Sequence, residues 1–231
     1  MATPRIEEVL PPFLSSNSDP PALFDGTTRC YTWPTTALMP TGLHAKIQLI
    51  PIELNDKPAW YKEKVYPADK VPALEHNNKI IGESLDLIRY MDSHFEGPSL
   101  FPDDPVKKEF VEELFAYSNQ WNTTLVWYLK GTTPENEMRA AMDKLEEYLS
   151  RYNEGPFLLG AQFSAADVVY APFVHRYYPL CIDLHKYDIL EGRPKLAAWL
   201  KALDAVEAFI ETKWDTEQNI KIFKRINLGT V

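Results

Sequence analysis

Two short stretches decide the fold: KVPALE at residues 70–75 and GESLD at residues 82–86. Proline fixes its own φ and pushes the preceding residue into an extended conformation, so we expect Val71 to present its backbone as a strand edge does. Ser84 stands where a short strand, residues 79–81, gives way to apolar residues at helical spacing. Taken singly, these features indicate only a strand entry and a helix N-cap. Together they predict a seat where a peptide pairs with the edge and a carboxylate meets the N–H groups of the helix start.

The first part of the chain mixes strand and helix signals. Asn77 and Asn78 tolerate positive φ and predict a hairpin. Breaker residues at 96–105 then mark a boundary, after which apolar residues recur at helical spacing. In the first part, strands are predicted near residues 28–32, 46–53, 73–75 and 79–81, and helices near residues 58–65 and 84–95.

The sequence therefore predicts an α/β domain followed by an all-α helical bundle. Ser164 and Asp167 match a capping box, which gives Asp167 a structural role at the start of a helix. Two further helices are expected near residues 194–211 and 218–226. The predicted segments are a flexible Pro- and Ser-rich leader at 1–26, the α/β domain at 27–95, a linker at 96–103 and the all-α domain at 104–231.

Composition narrows the partners and the compartment. The net charge of −9 provides no basic field, so neither nucleic acid nor an anionic membrane surface is an expected partner. Neither a membrane-spanning apolar run nor a signal peptide is visible, which predicts a cytoplasmic protein. The 2 cysteines are too few for a disulfide framework, and the 5 histidines show no zinc-site spacing, so no metal is predicted.

These motifs resemble those of the glutathione transferases. The residues that carry the resemblance are Val71-Pro72, Glu83-Ser84, GPFLLG at 155–160 and SAAD at 164–167. The chain resembles the plant lambda class in three further stretches, KPAWYKEKVYP at 57–67, LEHN at 74–77 and FEGP at 95–98. The resemblance implies a thioredoxin-like N-terminal domain, an all-α C-terminal domain and glutathione as cosubstrate. It also implies a monomer with redox and detoxification roles, whose chemistry is thiol transfer and deglutathionylation. The implied partners are glutathione and small apolar or glutathionylated molecules.

The same resemblance implies a role for each residue of the seat. Val71 would pair with the backbone of the cysteinyl unit, next to a Pro72 expected to be cis. Glu83 would accept the γ-glutamyl ammonium, and Ser84 would hold the γ-glutamyl carboxylate. Lys57 would reach the glycyl carboxylate, although it reads equally well as an ordinary solvated lysine.

The segment after the first strand departs from the family pattern. Lambda-like proteins carry a Cys-Pro pair at a helix start, whereas residues 29–43 are shorter and Trp33-Pro34 stands at the matching place. This suggests a deletion or an altered splice junction. Cys30 lies inside the predicted strand, where a buried thiol has a raised pKa and behaves as a small hydrophobe, and Cys181 is expected to be a packing residue.

No catalytic residue is assigned, and three alternatives stay open. The chain is a thiol transferase that uses Cys30, a non-catalytic protein that binds glutathione or another small ligand at a degenerate site, or a chain whose first domain does not fold stably.

Overall fold

The computed structural model describes residues 12–33, 46–210 and 215–228, without side-chain detail at 208, 226 and 228. Within these residues the chain divides into two compact units, the first ending at Pro98 and the second beginning at Ser99.

The N-terminal unit is built on a mixed four-stranded sheet. Its order is β2–β1–β3–β4, with β1 parallel to β2 and antiparallel to β3, and β3 antiparallel to β4. The elements are β1 (Arg29–Thr32), β2 (Gln48–Pro51), the single-turn π-type helix α1 (Tyr61–Val65), β3 (Ala73–His76), β4 (Lys79–Ile81) and α2 (Ser84–His94). This arrangement confirms the predicted α/β class. The turn between β3 and β4 has φ of 51° at Asn77 and 58° at Asn78, as the hairpin signal predicts.

The sheet separates two apolar clusters. Neighbouring residues of a strand point to opposite faces. Tyr31 therefore packs with Trp60 and Tyr61 on one face, while Leu74 packs with Leu87 of α2 on the other. Cys30 lies beside Tyr31 in β1 and consequently joins the cluster on the α2 face.

The flexible leader predicted for residues 1–26 is corrected from Leu14 onward. The Leu14 N–H donates to Pro51 O at 2.8 Å and forms an isolated bridge beside β2. The Phe24 N–H donates to the buried carboxylate of Glu75 at 2.7 Å. Composition indicated disorder, but backbone N–H groups of the segment donate to Pro51 and to the Glu75 carboxylate, and such bonds leave no periodic signal in the sequence.

The C-terminal unit is all helical, as predicted. Its helices are α3 (Pro105–Leu129), α4 (Glu135–Leu149), α5 (Ala165–His185), α6 (Pro194–Leu203), α7 (Glu207–Ile210) and α8 (Thr216–Leu228). The single helix expected over residues 194–211 is wrong, because the chain turns after α6. There the Val206 N–H donates to Leu203 O at 3.0 Å, a tighter turn than α-helical bonding allows.

Asp167 holds the start of α5 in the centre of this unit. Its fully buried carboxylate accepts hydrogen bonds from the backbone of Leu158 at 3.0 Å, from both Ser164 N and Oγ, and from Trp199 Nε1 at 2.8 Å. Burial raises the pKa of Asp167. Four donors use the side chain completely, in agreement with the structural role predicted for it.

Candidate functional site

The predicted strand edge lies at the start of β3. The Val71–Pro72 peptide bond is cis, as the resemblance implies. Tyr61 Oη donates to Lys70 O at 2.6 Å and so ties the backbone just before Val71 to α1. Val71 therefore lies between Lys70, which accepts this hydrogen bond, and the cis-proline that precedes β3.

The helix start beside this edge has an unusual backbone. Glu83 precedes α2 with φ of 61° and ψ of 118°, a conformation that costs a non-glycine residue about 1–3 kcal/mol. The first helical bond runs from Leu87 N–H to Glu83 O at 2.9 Å. The N–H groups at the start of α2, beginning with Ser84, consequently have no partner within the helix. Gly82 allows this close turn, because a Cβ there would overlap the ring of Tyr66.

The Glu83 carboxylate is already paired with the ammonium group of Lys70. Its Oε1 lies 2.9 Å from Lys70 Nζ, and the two side chains are 56% and 63% exposed. This hydrogen bond raises the pKa of Lys70. Sequence reasoning missed Lys70, although the residue is the first of the stretch that predicts the edge. The pair shows that the exposed Glu83 carboxylate holds the ammonium group of Lys70, the residue before Val71.

Lys57 is held at the same loop rather than extended into solvent. Its Nζ donates to Asp69 O at 2.5 Å and lies 3.3 Å from Asp69 Oδ2, leaving the side chain 24% exposed. Asp69 adopts φ of 56° and directly precedes Lys70. Two contacts therefore lie close together along the chain, Lys57 with Asp69 and Lys70 with Glu83, next to Val71 and Ser84 in the sequence.

Neither cysteine takes part in the ion pairs and hydrogen bonds just described. Cys30 lies in β1 against Leu74, and burial raises the pKa of its thiol to about 12. The antiparallel register of β1 and β3 pairs Tyr31 with Ala73, and Trp33 lies two residues beyond Tyr31. Cys30 is three residues back, about 10 Å along the strand. Cys181 is buried in α5, where burial likewise raises its pKa to about 12.

Trp33 therefore directly follows β1, at the sequence position where the resemblance expects a nucleophile. The rest of the shortened segment, residues 34–43, lies outside the described residues.

Comparison with known proteins agrees with this architecture. Residues 36–99 match the glutathione S-transferase N-terminal domain, and residues 135–202 match the glutathione S-transferase C-terminal domain. The chain is 47% identical to glutathione S-transferase L3 of Arabidopsis thaliana over 92% of its own length and 93% of that protein. It is 46% identical to protein IN2-1 of Zea mays, covering 91% of this chain and 90% of that protein.

Solved structures show the same fold. Glutathione transferase Omega 2C from Trametes versicolor superposes with a TM-score of 0.70 at 26% identity, covering 87% of this chain and 98% of that one. The Tau class enzyme of Mangifera indica gives a TM-score of 0.73 at 22% identity, with 87% and 98% covered. The chain belongs to the glutathione transferase family. The plant proteins to which it is similar include the L, or lambda, members of Arabidopsis thaliana.

Among the described helices, none combines the length and the apolar composition needed to cross a bilayer. Within the same residues, no group of three or more His, Cys, Asp and Glu side chains is placed to hold a metal ion.

Proposed function

We propose that the N-terminal unit binds glutathione with Lys57, Val71, Glu83 and Ser84. The observation that carries the proposal is the start of α2, where Glu83 holds a cation and its positive φ presents the helix N–H groups beside a cis-proline edge. The tripeptide offers one ammonium, two carboxylates and a backbone. The site offers one carboxylate, two anion seats and a strand edge to match them.

Each charged group of glutathione then meets a group of opposite charge or polarity in the site. The γ-glutamyl ammonium replaces Lys70 on Glu83, and the γ-glutamyl carboxylate meets the Ser84 hydroxyl and N–H at the positive end of the helix dipole. The cysteinyl backbone pairs with Val71 as an added strand does. Lys57, held beside this loop by Asp69, receives the glycyl carboxylate.

The test is calorimetric binding of glutathione to the wild type and to Glu83→Gln. A matched control is Asp86→Asn, which neutralises another exposed carboxylate in the first turn of α2. We expect Glu83→Gln to bind glutathione about 10-fold or more weakly, because this variant loses a charged hydrogen bond. Asp86→Asn should bind with little change. Equal effects of the two variants would contradict the assigned ammonium partner.

A second ligand sharpens this test. The glutathione analogue in which glutaryl replaces γ-glutamyl lacks only the ammonium group. The wild type should prefer glutathione to this analogue, and Glu83→Gln should bind both alike. Ser84→Ala should weaken both ligands equally, because each keeps the carboxylate that Ser84 is proposed to hold.

For catalysis, we infer that glutathione is bound without a protein thiolate. Thiol transfer and deglutathionylation through a protein sulfur would need one of the 2 cysteines of the chain. Burial raises the pKa of both Cys30 and Cys181 to about 12, so neither supplies a thiolate near neutral pH. This favours the non-catalytic alternative, a protein that holds glutathione or small glutathionylated molecules, over the thiol transferase.

Glutathione-dependent disulfide reduction separates the two alternatives. A non-catalytic protein gives no rate above that of free glutathione, in the wild type as in Cys30→Ala. A rate that disappears only in Cys30→Ala would establish the transferase instead. A monomer and a cytoplasmic location stay predictions, to be tested by light scattering and by a fluorescent fusion. One similar relative, glutathione S-transferase L2 of Arabidopsis thaliana, is named chloroplastic.

A further inference from the structure

A buried tyrosine holds the peptide unit that joins Lys70 to Val71. Tyr61 is 0% exposed, and its Oη donates to Lys70 O at 2.6 Å. A trans peptide unit is planar, so the Lys70 carbonyl and the Val71 N–H lie in one plane and point in opposite directions. Within the described residues, the Val71 N–H itself donates no hydrogen bond. Tyr61 therefore fixes the direction of an N–H group that has no partner in that part of the chain.

The side chain of Tyr61 is in turn fixed by its neighbours. Its ring centroid lies 5.5 Å from that of Tyr31 and 6.3 Å from that of Trp60. The Tyr31 hydroxyl donates to the buried carboxylate of Glu75 at 2.7 Å, and Trp60 Nε1 donates to Ser18 O at 2.8 Å. Burial raises the pKa of Tyr61, so its hydroxyl keeps its proton and remains a hydrogen-bond donor.

The turn that carries Tyr61 is of an uncommon type. The Tyr66 N–H donates to Tyr61 O at 2.8 Å, five residues back, where an α-helix would bond four residues back. Single π-type turns of this kind are rare and occur frequently at functional sites. Lys57, four residues before Tyr61, donates to Asp69 O. Two side chains of one short segment thus hold two successive carbonyls just before Val71.

We propose that Tyr61 is a positioning residue of the glutathione site and acts through the peptide unit of Lys70 and Val71. This role rests on the proposed function, in which Val71 pairs with the cysteinyl backbone. Because Tyr61 holds Lys70 O, the Val71 N–H is already oriented when the ligand arrives and donates to the cysteinyl carbonyl. Orientation before binding lowers the entropy cost of binding. Tyr61 itself is fully buried and acts without touching the ligand.

The test compares two ligands by calorimetry on the full chain. One is glutathione, and the other is its analogue in which a trans-alkene replaces the cysteinyl–glycyl peptide bond and so removes the cysteinyl carbonyl. The wild type should bind glutathione about 10-fold more tightly than the alkene. Tyr61→Phe, which loses only the hydroxyl, should bind glutathione about 3- to 10-fold more weakly and the alkene almost unchanged. Its preference should therefore fall to about threefold or less.

Tyr170→Phe is the matched control in the helical unit. The Tyr170 hydroxyl is as buried as that of Tyr61 and also donates to a backbone carbonyl, Leu114 O, at 2.7 Å. Both variants lose the same kind of hydrogen bond, so they should melt at similar temperatures. Tyr170→Phe should nevertheless keep the wild-type preference. Loss of the preference in Tyr170→Phe, its persistence in Tyr61→Phe, or failure of Tyr61→Phe to fold cooperatively would each overturn the proposal.

A third ligand separates positioning from a general loosening of the site. The glutaryl analogue lacks only the ammonium group that Glu83 is proposed to accept. Because Tyr61 acts through the Val71 N–H, Tyr61→Phe should keep the wild-type preference for glutathione over this analogue. Loss of both preferences together would make Tyr61 a structural residue and overturn the positioning role. A wild type that binds glutathione and the alkene equally would instead contradict the proposed pairing with Val71, so that failure is recognised without any variant.

Discussion

The reactivity of Cys30 distinguishes a transferase from a binding protein. In a Cys181→Ser background, Cys30 is the single thiol of the chain. Burial raises its pKa from 9.0 to about 12. At pH 7.5, about 1 thiol in 30 is ionised at the ordinary pKa and about 1 in 30,000 at the raised one. Because only the thiolate is nucleophilic, the folded protein should react with iodoacetamide about 1,000-fold more slowly than the unfolded chain.

The assay follows alkylation by mass spectrometry as a function of pH, with and without denaturant. The rate for the folded protein should rise tenfold per pH unit without a plateau below about pH 11. The raised pKa also makes the stability of the folded state depend on pH. The folded state favours the neutral thiol, so this contribution is complete below pH 9.0 and is lost as pH rises towards about 12. A plateau near pH 7, or equal rates in folded and unfolded chains, would refute the reasoning and restore Cys30 as a candidate nucleophile.

Three further predictions concern the site and the fold. Lys70→Met should tighten glutathione binding by up to about fivefold, because Glu83 no longer exchanges one cation for another, whereas Lys79→Met should change nothing; calorimetry decides, and weaker binding would give Lys70 a direct role. Gly155→Ala should lower the free energy of unfolding by about 1–3 kcal/mol, since its Cβ would lie 2.7 Å from a backbone oxygen. Gly97→Ala, with open space around the Cβ, is the control in the same urea titration, and equal costs would contradict the steric argument. Asp167→Asn should cost at least about 2 kcal/mol, because its amide nitrogen faces two donors; a loss below 0.5 kcal/mol by urea unfolding would contradict the buried network.

Much of the fold could be predicted because its signals are local. The tolerance of asparagine for positive φ acts on single residues, and Asn77 and Asn78 have the predicted effect. The helical spacing that begins at Ser84 likewise depends only on the order of side chains along α2. Signals of this kind are complete in the sequence, since the physical constraint and the residue that carries it are adjacent.

The errors occurred where the partner was distant in sequence. The segment after Leu14 looked disordered because its hydrogen bonds go to Pro51 and Glu75, far along the chain. The ion pair of Lys70 with Glu83 was missed for the same reason.

By itself the sequence determined the class of fold, the helix start at Ser84 and the hairpin at Asn77 and Asn78. Only the tertiary structure decided that Glu83 pairs with Lys70 and that Lys57 is fixed by Asp69. The physical reason is that φ preferences and periodicity are properties of neighbouring residues. Burial and charge pairing are properties of groups that only folding brings together.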